Sequence, residues 1–250
     1  MNDPWAIGGM AAAAAREGER VARRGRIREV VFGAQDGLLS TLALVTGVRG
    51  ADATRYGVLV AGLSGALAGT ISMALGAYVA AKSQRDVFSH ELDKERRQLE
   101  RRPHVEAVEL ADIFQAEGLS YEAARQAAEA IATNPETMLK TMAEKELGIP
   151  YEPVRPPISD AVTMGASFVV GAAVPILPYV VFGLTTGLVF SVLLTLLALF
   201  AMGVVKARLT DESWLRSGGE IAGLAGAAAA LAYVVGTVLP HALGIAPATG

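Results

Sequence analysis

The sequence predicts an all-α integral membrane protein: five transmembrane helices, with a cytosolic helical insert between the second and third. Three observations carry that prediction. The 250 residues are 52% hydrophobic with 6% aromatics, and the mean hydropathy is +0.38, too apolar for an ordinary soluble domain. Three windows carry no charge: Tyr56–Ala81, Ala161–Val205 and Ile221–Leu239. Between the first two windows lies a charge-rich stretch, residues 82–159, with no long apolar run.

A basic segment, residues 1–29, comes first. Its apolar run at Ala11–Ala15 is too short for the core of a signal peptide, and Asp3 precedes it. Residues 30–81 hold two spans. The first falls within Val30–Val48, where Gln35 and Asp36 interrupt the apolar pattern. An acidic residue at the centre of a spanning helix costs roughly 2.5–3.5 kcal/mol on insertion scales, so it normally faces a cavity or a partner. The alternative is a span that starts at Leu38, with Asp36 at its N-terminus and stabilised by the helix dipole; only about 11 residues would then remain to Val48, short for a span.

On the second span, Gly62, Gly65, Gly69, Met73, Gly76 and Ala80 recur at steps of three and four. Met73 therefore stands on a small-residue stripe of the kind that packs helices closely, either as a gap-filler or as a ligand. Residues 160–240 hold spans three to five. The long window is enough for two of them, and Pro175 and Pro178 are the natural place to fold it into a hairpin. Residues 241–250 form a tail.

Basic residues set the orientation. Arg16, Arg20, Arg23, Arg24, Arg26 and Arg28 precede the first span; Lys82, Arg85, Lys94, Arg96 and Arg97 follow the second; Lys206, Arg208 and Arg216 lie between the fourth and fifth. The third-to-fourth junction has no Lys or Arg, nor does the tail. This pattern puts the N-terminus and the insert in the cytosol and the C-terminus outside.

The insert reads as helices throughout. Its first helix continues the second span and stops before Pro103. The next has Val105, Val108, Ala111 and Ile113 at helical spacing and ends at Gly118. Ser120 caps a third, and Asn134-Pro135 turns into a fourth. The Pro-rich "IPYEPVRPPISD" leads back to the membrane.

No cysteine is present, which excludes disulfides, thiolate metal sites and thiol redox chemistry. The three histidines are scattered, leaving carboxylates and methionines as metal ligands. Glu106 and Glu109 share a helix face, as do Met142 and Glu146, with Glu91, Glu95 and Glu100 on the preceding helix. Carboxylates beside a thioether suit Fe²⁺ or Mn²⁺; the plainer reading is a solvated charged surface with Met142 as filler. A ferritin-type oxidase would need Glu-x-x-His pairs, and neither His90 nor His104 has a glutamate three residues before it. No phosphate loop supports an ATP-driven pump.

"DGLLSTLALVTGV", "GTISMALGAYVAAKSQRD", an insert ending "MAEKELGI" and "SFVVGAAVPILP" together resemble the vacuolar iron transporter family, in a bacterial-type form. The resemblance runs from about Arg28 to Leu239. It implies a homodimer of five-helix protomers, each with a cytosolic three-helix metal-binding insert, in a bacterial inner membrane. The implied activity is export of Fe²⁺, and also Mn²⁺, from the cytosol by proton antiport. Iron is then cargo, with no prosthetic group, and the partners are divalent metal ions, protons and the bilayer, without nucleic acid. On this resemblance Asp36 and Met73 are the pathway residues, with Met73 facing Asp36 and the dimer axis. Glu95, Glu106, Glu109, Met142 and Glu146 fall on the insert's metal-binding positions. Gly65 stands where some members place a membrane glutamate, which implies weaker proton coupling. Gln98 stands where an insert glutamate is expected, which implies fewer bound metals. The competing reading is a membrane-anchored metal sensor or store, in which the spans are only an anchor.

Overall fold

The computed structural model describes residues 10–149, 151, 156–210 and 213–244, the side chains of 10–26 and 209–210 excepted. The side chains of Arg16, Arg20, Arg23, Arg24 and Arg26, the Pro-rich return at 150 and 152–155, and tail residues 245–250 lie outside the described residues. Eight α-helices and no strand are found among the described residues: α1 Met10–Gly50, α2 Arg55–Arg101, α3 Pro103–Ala116, α4 Tyr121–Ala132, α5 Pro135–Lys145, α6 Pro157–Val181, α7 Leu184–Thr210 and α8 Trp214–Ala242. Five stretches are long and apolar enough to cross a membrane: Ile27–Gly50, α2, α6, Leu184–Arg208 and α8. Only the first half of α2 is apolar. From Lys82 to Arg101 it carries charges every few residues, which are costly in hydrocarbon.

The chain divides into two compact units, Met1–Tyr78 with Ile158–Gly250, and Val79–Pro157. In the first unit, α1 packs against α7 and α8, and α7 against α8. Glycines let backbones meet here. A Cβ on Gly171 of α6 would run into the Ala34 carbonyl oxygen of α1, and one on Gly37 into the Phe168 carbonyl oxygen. Arg55, at the start of α2, donates from Nε to the Tyr179 carbonyl at 2.7 Å and from its terminal nitrogen to that of Val180. It thereby satisfies carbonyls at the C-terminus of α6 and sets a positive charge against that end of the helix dipole.

One alternative is set aside and one expectation corrected in this unit. First, α1 is already helical from Met10, so Asp36 is not an N-terminal residue stabilised by a helix end; it stands inside the span. Second, Pro175 and Pro178 do not make the hairpin. Both lie within α6, and the chain turns at Phe182 and Gly183. Neighbouring helices replace what a proline removes from a buried ladder: buried Ser191 of α7 donates its hydroxyl to the Pro175 carbonyl at 2.7 Å.

The second unit holds α3, α4, α5 and the charged end of α2. Its breaks have local causes. Gly118 adopts a positive φ of 106° just past α3, where a side chain would be strained. Ser120 Oγ accepts from the Ala123 amide at 3.4 Å to open α4. Asn134 Oδ1 accepts from the Glu136 and Thr137 amides at 3.0 and 3.1 Å to open α5. Leu110, Ala111, Ala128, Met138 and Met142 form the apolar core, the larger ones worth about 1.5–3 kcal/mol each. Lys145 Nζ reaches both carboxylate oxygens of Glu117 at 2.7 Å, tying α5 to the end of α3.

Here the expected apolar face of α3 is half inverted. Val105 and Val108 are 54% and 62% exposed, while Glu106 is 3% exposed beside Leu110 and Ala111. Periodicity assumes that apolar residues turn inward; α3 instead turns a carboxylate inward, toward other carboxylates.

Candidate functional site

The first unit contains a cavity of about 230 Å³ lined by Asp36, Ser40, Thr41, Leu44, Gly65, Gly69, Ser72, Met73 and Phe168. Asp36 and Met73 are both half-buried, and α1 and α2 bring them to this one space. On α1, Asp36, Ser40 and Leu44 share a face at steps of four, with Thr41 beside it. On α2, Gly65, Gly69, Ser72 and Met73 form the facing wall, and the Phe168 ring from α6 closes over Gly69. One carboxylate, one thioether and three hydroxyls therefore meet in a pocket whose remaining walls are apolar. Such a set can hold a partly dehydrated cation, the charge coming from Asp36 and the soft contact from Met73.

The hydroxyls were missed by sequence reasoning. Their signal was present: Ser40 and Thr41 follow Asp36 by four and five residues, and Ser72 adjoins Met73.

The second unit holds a carboxylate cluster. Glu95 on α2 and Glu106 on α3 are 2% and 3% exposed, whereas Glu109 and Glu146 are exposed at its rim. Glu95 Oε1 and Glu106 Oε2 are buried without a hydrogen-bond partner, a state that costs free energy unless a proton or cation serves it. Burial first, and then the charges of Glu146, Glu106 and Glu109, push the Glu95 carboxyl up to about 7. Burial likewise raises Glu106, helped by Glu109, while a hydrogen bond from Gln98 pulls the other way. Glu146 is raised by burial and then by Glu109 and Glu106, against Lys94. Met142 is fully buried in the apolar core, four residues before Glu146.

Thus Glu95, Glu106, Glu109 and Glu146 come close enough to feel one another, while Met142 belongs to the apolar core. Among the described residues, however, no group of three or more His, Asp or Glu side chains stands in metal-holding geometry. Unneutralised carboxylates repel, and Glu109 and Glu146 have open solvent to turn into.

With this geometry in place, relatives can be compared. A model described as "VIT family" matches residues 27–237. The chain is 34% identical over 216 residues to Vacuolar iron transporter 1 of Arabidopsis thaliana, covering 86% of each protein. It is 37% identical over 208 residues to Vacuolar iron transporter 2 of Oryza sativa subsp. japonica, covering 83% of this chain and 85% of that protein. A Vacuolar iron transporter of Plasmodium falciparum is 27% identical over 231 residues. Homologues with these names support metal-ion transport as the activity, and the apolar helices make the chain an integral membrane protein. The matched span takes in both the Asp36–Met73 cavity and the carboxylate cluster, and the chain belongs to the VIT family, whose members are transporters and not enzymes.

Proposed function

We propose that this protein exports Fe²⁺, and also Mn²⁺, from the cytosol in exchange for protons, working as a homodimer in a bacterial inner membrane. The observation that carries the reading is the meeting of Asp36 and Met73 in one cavity between α1 and α2. A single carboxylate there can exchange a proton for a cation, so that loading with metal releases the proton and reprotonation expels the metal. The thioether favours Fe²⁺ over Ca²⁺ and Mg²⁺, which prefer hard oxygen ligands. An anchor for a sensor or store has no use for a carboxylate inside a span.

Glu95, Glu106, Glu109, Met142 and Glu146 then gather metal for the spans; a cation would supply the partner that Glu95 Oε1 and Glu106 Oε2 lack. The distribution of basic residues supports a cytosolic N-terminus and insert, with the C-terminus outside. Two copies are supported by α2, whose exposed residues include Ser64, Ala68, Ser72 and Gly76 at steps of four. Small and hydroxylated residues in that spacing suit a close helix–helix contact better than lipid.

The test is metal uptake into vesicles containing the purified protein, with and without a pH gradient. Asp36→Asn keeps the shape and removes both charge and proton site, so Fe²⁺ flux should disappear while the protein still purifies as the same oligomer. Near-normal flux through the Asn variant would overturn the assignment.

A further inference from the structure

In a spanning helix, serine and threonine commonly return their hydroxyl to the carbonyl four residues earlier. Five residues of this chain follow that habit. Ser40 donates to the Asp36 carbonyl at 2.6 Å, Thr46 to Leu42 at 2.8 Å, Thr70 to Ala66 at 2.7 Å, Thr163 to Ser159 at 2.8 Å and Ser167 to Thr163 at 2.7 Å. Thr41 is different. It is 2% exposed, it lines the Asp36–Met73 cavity, its hydroxyl makes no hydrogen bond among the described residues, and its oxygen is not sealed off as Thr195 Oγ1 and Ser217 Oγ are.

A hydroxyl with this little access to solvent and no protein partner gains from any partner that the cavity brings. The little surface that Thr41 keeps opens on the cavity it lines, so its partner is what occupies that cavity, water or a passing ion. We propose that Thr41 is a neutral oxygen ligand for the passing cation and sets the preference between metals. This deepens the transport reading given above and rests on it.

The chemistry follows from the donor set. Asp36 supplies charge, and Met73 is a soft donor that discriminates in favour of Fe²⁺. Mn²⁺ sits lower in the affinity order and relies more on oxygen donors. A hydroxyl beside the carboxylate replaces one water of the ion's shell without changing the charge or consuming a proton. Removing it should therefore penalise Mn²⁺ more than Fe²⁺.

The experiment is competitive uptake of Fe²⁺ and Mn²⁺ by full-length protein in vesicles, kept anaerobic, under one fixed pH gradient. Thr41→Val keeps the shape and β-branching but lacks the hydroxyl; Thr41→Ala is a second hydroxyl-free variant in case the first fails to fold; Thr41→Ser restores the oxygen. Thr46→Val on the same helix, where the hydroxyl is already spent on Leu42, controls for the loss of a threonine as such. The Mn²⁺-to-Fe²⁺ uptake ratio should fall roughly two- to tenfold in Val and Ala, the worth of one net polar contact. It should hold in Ser and in the Thr46 control. An unchanged ratio in either hydroxyl-free variant, with the protein folded, would overturn the role of Thr41 while leaving the transport reading intact. Retained flux in Asp36→Asn would overturn that reading instead.

Discussion

Glu95→Gln should make the metal-free insert more stable at neutral pH, although it removes a charge from a helix rich in basic partners. Glu95 is 2% exposed, and its carboxyl is raised from 4.5 to about 7. A group raised by folding contributes its full stabilisation below the unfolded value, here near 4.5, and loses it as pH climbs through the folded value. At about 1.4 kcal/mol per tenfold change in proton affinity, ionising Glu95 takes about 3 kcal/mol from the fold by pH 7.5. Glu106 and Glu146 are shifted in the same direction and add to the trend. Glutamine keeps the shape and never ionises. The variant should gain up to about 3 kcal/mol at pH 7.5 and nothing near pH 4.5. Hydrogen exchange by mass spectrometry on the full-length protein in detergent with a chelator reads this directly, once corrected for intrinsic exchange. Amides of α3 to α5 report local opening. Wild-type protection should fall between pH 5 and 7.5, the variant's should fall less, and saturating Fe²⁺ should protect the wild type more than the variant. Wild-type protection that is flat or rising over that range would refute the argument, as would a variant no better protected at pH 7.5.

Met73→Leu nearly conserves volume and should cost under about 1.5 kcal/mol of stability, yet it should narrow the preference for Fe²⁺ over Mg²⁺ in competitive vesicle uptake; unchanged competition would make Met73 packing alone. Collapsing the pH gradient should reduce Fe²⁺ flux only partly, because Gly65 offers no second protonatable group in the cavity; full dependence on the gradient would show that Asp36 suffices. Gly171→Ala places a methyl against the Ala34 carbonyl, and since backbone cannot yield as a side chain can, a thermal scan in detergent should register a loss of about 1–3 kcal/mol. Arg55→Ala leaves the Tyr179 and Val180 carbonyls without their charged donor and should cost about 1.5–3 kcal/mol, seen as faster exchange at the end of α6.

The five spans were legible because hydropathy is a bulk property that survives any uncertainty about packing. Asp36 stood out because a lone acid among apolar residues is expensive wherever it points. The insert's breaks were legible too, since Pro103, Gly118, Ser120 and Asn134 each act on their own backbone. Other features depend on partners that a linear reading cannot see. Pro175 and Pro178 look like a turn until Ser191 is placed beside them from another helix. Val105 and Val108 look like a core face until Glu106 is found turned toward Glu95. Thr41 is indistinguishable from Thr46 in sequence; only the bond one makes and the other lacks separates them.

Leu44 and Phe168 treat the glycines facing them in opposite ways. The space a Cβ would take at Gly69 is filled by the ring of Phe168, which is 2% exposed and hemmed in. At Gly65 the obstacle is the tip of Leu44, a flexible end on an exposed residue. Position 69 is therefore closed to substitution, while position 65 is open on condition that Leu44 swings aside. Positions 44 and 65 should then vary as a pair among related chains, a large residue at one accompanied by a small one at the other. An acid grafted at Gly65 alone would confound added charge with a displaced leucine. Gly65→Glu combined with Leu44→Ala is the construction that would let proton coupling be engineered cleanly into this cavity.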